Sequence, residues 1–282
     1  MKICFMCDLH LPFDKNALQY SVLEWAIADV MKKQPDCIAF CGDATCDGNE
    51  AVYDFFIGAV KKTGIPFLYI PGNSDLRALE SRENIRSKAS ACKTMINDTS
   101  IYALNDCDGS ISDDQLQMLE HSRDNDIVFM HHPLKSHNAE TVDKLLKWRE
   151  SHEKTMVFFG HLQSSFIDEN SVSLQAMDPD KSIGESPCIT YYETDTKEIK
   201  KAHYFSPVPT DLYQYFGISC YDPIEQIQFA TRNNLKHLEL RPNCSGEDIN
   251  ELESLIHTWR YSGGEGLSLH LPDAHRSPKN TA

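Results

Sequence analysis

Cys37-Ile38-Ala39-Phe40-Cys41-Gly42-Asp43 is the stretch on which the fold turns. Five apolar residues in succession suit a strand buried on both faces. Gly42 lets the backbone turn sharply, and Asp43 leaves a carboxylate at the strand's end. The same design recurs along the first 160 residues. Apolar runs at Ile3–Cys7, Phe67–Ile70, Ile127–Met130 and Met156–Phe159 lead into Asp8-Leu9-His10, Pro71-Gly72-Asn73-Ser74-Asp75, His131-His132-Pro133 and Gly160-His161-Leu162-Gln163. Between the runs lie helix-like segments at Ala17–Lys33, Ala51–Lys62, Ser112–Arg123 and Ala139–Glu150. In the first, Leu18, Val22, Trp25, Ala26 and Val30 keep helical spacing, and Ser112-Asp113-Asp114-Gln115 has the form of a capping box. Strands alternating with helices at this period imply an α/β layered domain.

Composition narrows the function. The chain has 282 residues, 27 Lys+Arg against 42 Asp+Glu, and a formal net charge of −15. That balance argues against a protein that coats nucleic-acid phosphates, although a metal-lined pocket still admits an anion. Hydrophobic residues at 41% and charged ones at 24% are ordinary for a globular protein. No apolar run nears the ~20 residues of a membrane span. The first eight residues reach a charge too soon for a signal peptide, so the expected location is cytoplasmic. The ten cysteines fall singly, without a CxxC pair, as buried thiols in a reducing compartment would.

Beyond Gly160 the texture changes. Ser164–Ile167, Val172–Ala176, Cys188–Thr194 and Glu198–Phe205 read as short strands, expected to form a second, more antiparallel β layer of the same domain. Phe205-Ser206-Pro207-Val208-Pro209-Thr210 reads as a linker, because two prolines in three residues disfavour helix and central strand. The expected organisation is therefore a domain over 1–205, a linker over 206–212 and a segment over 213–282. In the last, a β-α-β-α-β rhythm restarts at Tyr215–Ser219, Pro223–Arg232, Lys236–Leu240, Glu247–Tyr261 and Leu267–Leu271.

In open α/β sheets the ligand crevice lies at the carboxyl ends of the strands. Five apolar runs converging on one edge bring together Asp8, His10, Asp43, Asn73, His131, His161 and Gln163. Each fragment alone is as readily a capped turn or a packed loop. The five together, in order at successive strand ends, are hard to obtain from packing. Two divalent ions ~3.5–4 Å apart repel and need a bridging anion. A carboxylate can sit between them, and Asp43 is the natural candidate. Carboxylate with imidazole suits Mn, Fe, Zn or Co better than a purely oxygen-loving ion. Water held between two such cations loses a proton near neutral pH and becomes a nucleophile.

Asp8-x-His10, Gly42-Asp43, Gly72-Asn73, His131 and Gly160-His161 resemble, as an ordered set over roughly residues 1–205, the signature of the calcineurin-like metallophosphoesterases. The resemblance implies two β sheets sandwiched between helices and a dinuclear metal centre that hydrolyses phosphomonoesters or phosphodiesters through a metal-bound hydroxide. It implies that Asp8, His10 and Asp43 hold a first metal, and Asp43, Asn73, His131 and His161 a second. The ions expected are Mn, Fe or Zn, the substrate a small phosphorylated molecule, and a homo-oligomer is compatible with the chain. Two departures stand out. Ser74 replaces a His that the family assigns to charge stabilisation and leaving-group protonation, so Asp75, His132 or His137 would have to substitute; with Asp43 and Asn73, His132 and Asp75 form the expected catalytic set. Gln163 takes the place of a final His, and as a neutral oxygen donor it would weaken the first site or shift it toward Mn or Mg.

Other residues keep two readings. Asp47 either positions a metal-bound water or is a solvated acid. Arg77 and Arg82 either meet a substrate phosphate or lie on an exposed helix, and Lys181 either borders the site or does not. Trp25 and Trp148 fit helical core faces, and His137 and His152 are expected to face solvent. The segment from 213 resembles the opening of xylose-isomerase-like (β/α) barrels, in Phe216-Gly217-Ile218-Ser219, Leu235–Leu240 and Leu267–Leu271, which implies that Glu239 and His270 face a site. A full barrel takes ~250 residues, so isomerase activity is not expected. The leading expectation is a metal-dependent phosphoesterase. The alternatives are a metal- or phosphate-binding module with weak or lost catalysis, and the phosphoesterase half of a fusion with a sugar-isomerase-like barrel.

Overall fold

In the computed structural model the five apolar runs are strands, and their side chains alternate between two different cores. On β1 (Lys2–Met6), Ile3 and Phe5 face one side while Cys4 and Met6 face the other. The structure describes residues 1–90, 92–182, 186–204, 231, 237–240 and 266–269. The chain divides into two units, Met1–Ser182 with Pro187–Tyr204, and Ile183–Ser186 with Phe205–Ala282.

The first unit is a mixed α/β sandwich of two sheets flanked by helices. β1, β2 (Cys37–Cys41) and β3 (Phe67–Ile70) run parallel, with Ile3 opposite Cys37 and Ile38 opposite Phe67. β10 (Cys188–Glu193) pairs antiparallel with β1, and β11 (Glu198–His203) with β10, giving the order β11-β10-β1-β2-β3. The second sheet holds β4 (Lys93–Ile96), β5 (Thr99–Ala103), β6 (Ile127–Met130), β7 (Met156–Phe159), β8 (Phe166–Asp168) and β9 (Ser171–Ser173), in the order β4-β5-β6-β7-β9-β8. Here β5, β6, β7 and β9 are parallel, and β4 and β8 are antiparallel edges.

Three cores result. Ile3, Phe5, Ala39, Ile70, Ile127, Phe129 and Phe158 fill the space between the sheets, where Phe5 stacks on Phe158 at 3.8 Å. Helices α1 (Leu18–Lys33) and α2 (Glu50–Lys61) cover the outer face of the first sheet. They set Val22, Leu23, Ala26, Val30, Val52, Phe56 and Val60 against Cys4, Met6, Ile38 and Phe40. Helices α4 (Asp113–Leu119) and α5 (Ala139–Ser151) cover the second sheet, packing Leu119, Leu145 and Trp148 on Val128, Met130, Val157 and Phe159. Asn49, Ser112 and Asn138 cap α2, α4 and α5 by accepting the backbone N–H of Val52, Gln115 and Thr141. A short α3 (Arg82–Ser87) precedes β4.

Two expectations need correction. The strands after Gly160 do not form a layer of their own: β8 and β9 extend the second sheet, and β10 and β11 extend the first. Alternation of apolar residues marks a strand but not the sheet it joins, because pairing is decided by non-local contacts. The second sheet instead begins at β4 and β5, in a region where no strand was expected.

Of the second unit the structure describes β12 (His237–Leu240) and β13 (Gly266–Leu269), which pair in parallel with His237 opposite Gly266. The expected linker at 206–212, the remaining elements of the barrel-like segment and His270 lie outside the described residues. Among the described residues no disulfide forms, and no helix is long and apolar enough to cross a membrane.

Candidate metal centre

The parallel strands β1, β2, β3, β6 and β7 discharge at one rim, and the loops that follow carry every expected ligand. The loops interlock through their backbones: Asp8 N–H donates to Gly42 O at 3.0 Å, and the N–H groups of Leu9 and His10 to Asp43 O at 2.9 and 3.0 Å. Five of the seven expected ligands, Asp8, His10, Asp43, His161 and Gln163, have φ between 50° and 67°. Left-handed backbone at non-glycine residues costs about 1–3 kcal/mol each and clusters where side chains must be aimed.

Asp43 lies at the centre. Its Oδ2 is 3.7 Å from His10 Nε2, and its Oδ1 is 3.5 Å from His131 Nε2. Ser74 N–H donates to Asp43 Oδ1 at 2.8 Å and fixes the carboxylate. On the His10 side stand Asp8, with Oδ1 4.0 Å from His10 Nε2, and Gln163, whose amide nitrogen Nε2 is 3.2 Å from the same nitrogen. On the His131 side, Asn73 Oδ1 is 2.9 Å from His131 Nε2 and 3.0 Å from His161 Nδ1. The structure thus brings Asp8, His10, Asp43, Asn73, His131, His161 and Gln163 together.

The donor set fits metal ions. Ligand atoms about 2.1 Å from one ion stand roughly 3 Å from each other, the spacing seen around Asn73 Oδ1. Both central imidazoles present the right nitrogen. His131 Nδ1–H donates to Cys41 O at 2.8 Å, which turns the Nε2 lone pair inward. Ser74 Oγ–H donates to Thr45 O at 2.6 Å, so Ser74 Oγ accepts from His10 Nδ1, at 3.4 Å, and again frees Nε2. Glycine is required beside the ligands: a Cβ on Gly72 would run into Asp43 Oδ1, and one on Gly160 would stand 2.6 Å from Asp8 Oδ2.

Burial dominates the electrostatics. It raises the fully buried Asp8 carboxyl to about 7 and lowers His10 and His161 to about 4. Burial also works against charge on His131, yet the carboxylates of Asp43, Asp8 and Asp106 raise it to about 9. Asp43 is held below its ordinary value, because His131 and His10 outweigh the penalty of burial. The buried carboxylates of Asp8 and Asp43 give this rim a negative field that a cation would fill.

The remaining candidates divide. Asp75 does not face the rim. It is fully buried, and its oxygens accept Ala44 N–H, Thr45 N–H, Thr45 Oγ1–H and Gly72 N–H at 2.7–3.1 Å, which braces the Asp43 loop against the Asn73 loop. Ser74 is likewise buried. His132 does lie at the rim, its ring 4.5 Å from that of His161. His137, expected in solvent, is buried with Nε2 3.0 Å from Asp106 Oδ2. His152 is half-buried and bonds Trp148 O. Asp47 is exposed and accepts from Asn49 N–H. Arg77 and Arg82 donate to the carbonyls of Cys46 and Leu76, and Lys181 stands 4.0 Å from Asp178 Oδ2.

Asp106 went unnoticed in the sequence. Fully buried, it accepts the backbone N–H of His131 on Oδ1 and that of His132 on Oδ2, both at 2.8 Å. It follows β5, so an acid beyond another strand end was the available signal. Without β5, nothing in Asn105-Asp106-Cys107 marks it.

A family model described as calcineurin-like phosphoesterase matches residues 1–164. A probable cyclic nucleotide phosphodiesterase from Fibrobacter succinogenes is 31% identical over 110 residues, covering 36% of this chain and 43% of that relative's length. Among solved structures, a dimetal phosphatase from Danio rerio aligns with a TM-score of 0.52 at 12% identity, covering 68% of this chain and 92% of that one, a likeness of fold. With the strand ends and their donor cluster in place, the match over more than half its length shows that this chain belongs to the calcineurin-like phosphoesterase family.

Proposed function

We propose that the rim holds two metal ions bridged by Asp43 and that the protein hydrolyses small phosphoesters there. Asp8, His10, Gln163 and Asp43 Oδ2 would hold one ion; Asn73, His131, His161 and Asp43 Oδ1 the other. The single observation that carries this is the aim of the Asp43 carboxylate, one oxygen toward His10 and the other toward His131. When bound, the ions supply positive charge for the phosphate oxygens and acidify the attacking water. Mn, Fe and Zn suit the mixed nitrogen and oxygen donors.

The chain's own residues aim and exclude. Ser74 N–H and the braced Asp75 loop keep Asp43 from rotating. Asp8 accepts His161 N–H at 3.0 Å, which ties the β7 loop to the β1 loop across the two sheets. Gln163, whose amide nitrogen now faces His10 Nε2, would have to turn its amide over to offer an uncharged oxygen, so the His10 side is the weaker site and empties first.

The related phosphodiesterase makes diesters, cyclic nucleotides among them, the first substrates to try. The test is metal analysis with turnover of an activated aryl phosphate, an activated diester and a cyclic nucleotide, supplemented with Mn, Fe or Zn. Asp43→Asn is expected to lose both ions and to lower turnover at least 10³-fold, given that stabilisation of developing charge is worth ~10²–10³ per donor. Two tightly held ions in that variant would refute the bridge. No turnover by the metal-loaded wild type would favour a binding module.

A further inference from the structure

Breaking a phosphoester bond leaves an oxygen that needs a proton, and general-acid help is typically worth ~10²–10⁴-fold. The rim offers few donors for it. Ser74 is fully buried with its hydroxyl committed to Thr45 O at 2.6 Å, and the Asp75 carboxylate is saturated by the Ala44, Thr45 and Gly72 donors. The His10, His131 and His161 imidazoles belong to the proposed ligand set. His137 has both nitrogens engaged, Nε2 with Asp106 Oδ2 at 3.0 Å and Nδ1 with Leu134 O at 3.2 Å.

His132 remains. Its ring is wedged against His131 and His161, with centroids 4.7 and 4.5 Å away. Its Nδ1 lies 3.3 Å from Asp106 Oδ2, and its backbone N–H donates to the same oxygen at 2.8 Å. Among the described residues none hydrogen-bonds its Nε2. Asp106 cannot turn away, because Oδ1 is held by His131 N–H and Oδ2 also faces His137. A carboxylate on one imidazole nitrogen fixes tautomer and orientation and leaves the other nitrogen for chemistry.

We propose that His132 is the proton donor to the leaving oxygen and that Asp106, backed by His137, is the positioning residue that aims His132 Nε2 at the substrate. The inference rests on the phosphoesterase reading of the rim. In the step, a P–O bond forms from water as the P–O bond to the leaving group breaks. The electron pair of the broken bond takes the proton from His132 Nε2. The attacking water releases its proton to solvent, and His132 recovers one from solvent, so nothing accumulates over a turnover.

The test compares leaving groups in the full-length, metal-loaded protein. His132→Gln is expected to retain the wild-type metal content. It should lower turnover of an activated aryl ester less than tenfold and that of an alkyl ester ~10²–10⁴-fold, which steepens the dependence of rate on leaving-group acidity. Asp106→Asn should steepen it in the same sense, and the double variant should be no worse than His132→Gln alone, as for residues acting as a unit. Equal losses on both esters, or loss of metal from His132→Gln, would overturn the proposal. Should Asp106→Asn fail to fold, the His132→Gln comparison alone decides. A wild type that turns over neither ester would instead remove the phosphoesterase reading itself.

Discussion

Gly72 shows how closely the rim is built. A Cβ there would strike Asp43 Oδ1, with Asp43 N at 2.5 Å and His131 Cε1 at 2.8 Å. Gly72→Ala is therefore expected to displace the carboxylate, weaken metal binding at least tenfold and cost ~1–3 kcal/mol of stability by overpacking. Metal titration with a thermal melt reads both, and unchanged metal affinity would contradict the crowding. Asp178, outside the ligand set but with its backbone N–H donating to Asp8 O at 2.8 Å, gives a pH signature of its own. It is buried, and burial raises its carboxyl to about 6. A folded-state pKa above the ordinary 3.8 means that the contribution is fully present at low pH and lost as pH rises through about 6. Asp178→Asn keeps an oxygen for Gln19 and for Asp180 N–H. Its stability relative to wild type should rise between pH 4 and 6.5 by roughly 2 kcal/mol and then level. Urea melts in chelator at several pH values check this, and a flat difference would refute it.

At the scale of elements, α2, α4 and α5 begin on a side-chain cap, whereas α1 begins at Ala17 without one. α5 starts at Asn138, whose Oδ1 accepts Thr141 N–H at 2.9 Å, and α2 starts at Asn49, whose Oδ1 accepts Val52 N–H at 3.2 Å. Asn138→Ala and Asn49→Ala should each cost ~1 kcal/mol. The helices cover different sheets, so the two losses should add in a double variant. Chemical denaturation measures the sum, and a sub-additive result would show coupling between the two outer layers. The helices were legible because an apolar stripe, as on α1, and a cap, as on α4, are local signals. β4 and β5 were not, because Lys93–Ile96 is a mostly exposed edge strand of four residues and Thr99–Ala103 opens on two hydroxyl side chains. β4 pairs with β5 and β5 with β6, and that pairing supplies the stability that local sequence does not.

For the whole molecule, the inter-sheet core holds the two halves of the rim in register. Asp8, Asp43 and Asn73 come from the first sheet, and His131 and His161 from the second. Phe158→Ala, which removes the ring stacked on Phe5, should cost ~3–5 kcal/mol. It should also weaken metal binding, since the two groups of ligands are rigid only relative to that core. Urea denaturation with and without metal tests both parts. A full stability loss with unaltered metal affinity would show that the interlocked loops alone hold the rim.

The order of chemistry-bearing residues along the chain determined the family and which side chains gather at the rim, because buried parallel strands are continuous apolar runs and the loops just beyond their carboxyl ends converge. Asp8, His10, Asp43, Asn73, His131, His161 and Gln163 were legible for that reason. Folding alone decided which strands share a sheet, that Asp75 turns inward as a brace, and that Asp106 reaches across from β5 to hold the His131–His132 loop. Those outcomes depend on pairing and burial between distant segments, as far apart as Lys2 and Glu193, and such long-range contacts leave no periodic trace in the residues that make them.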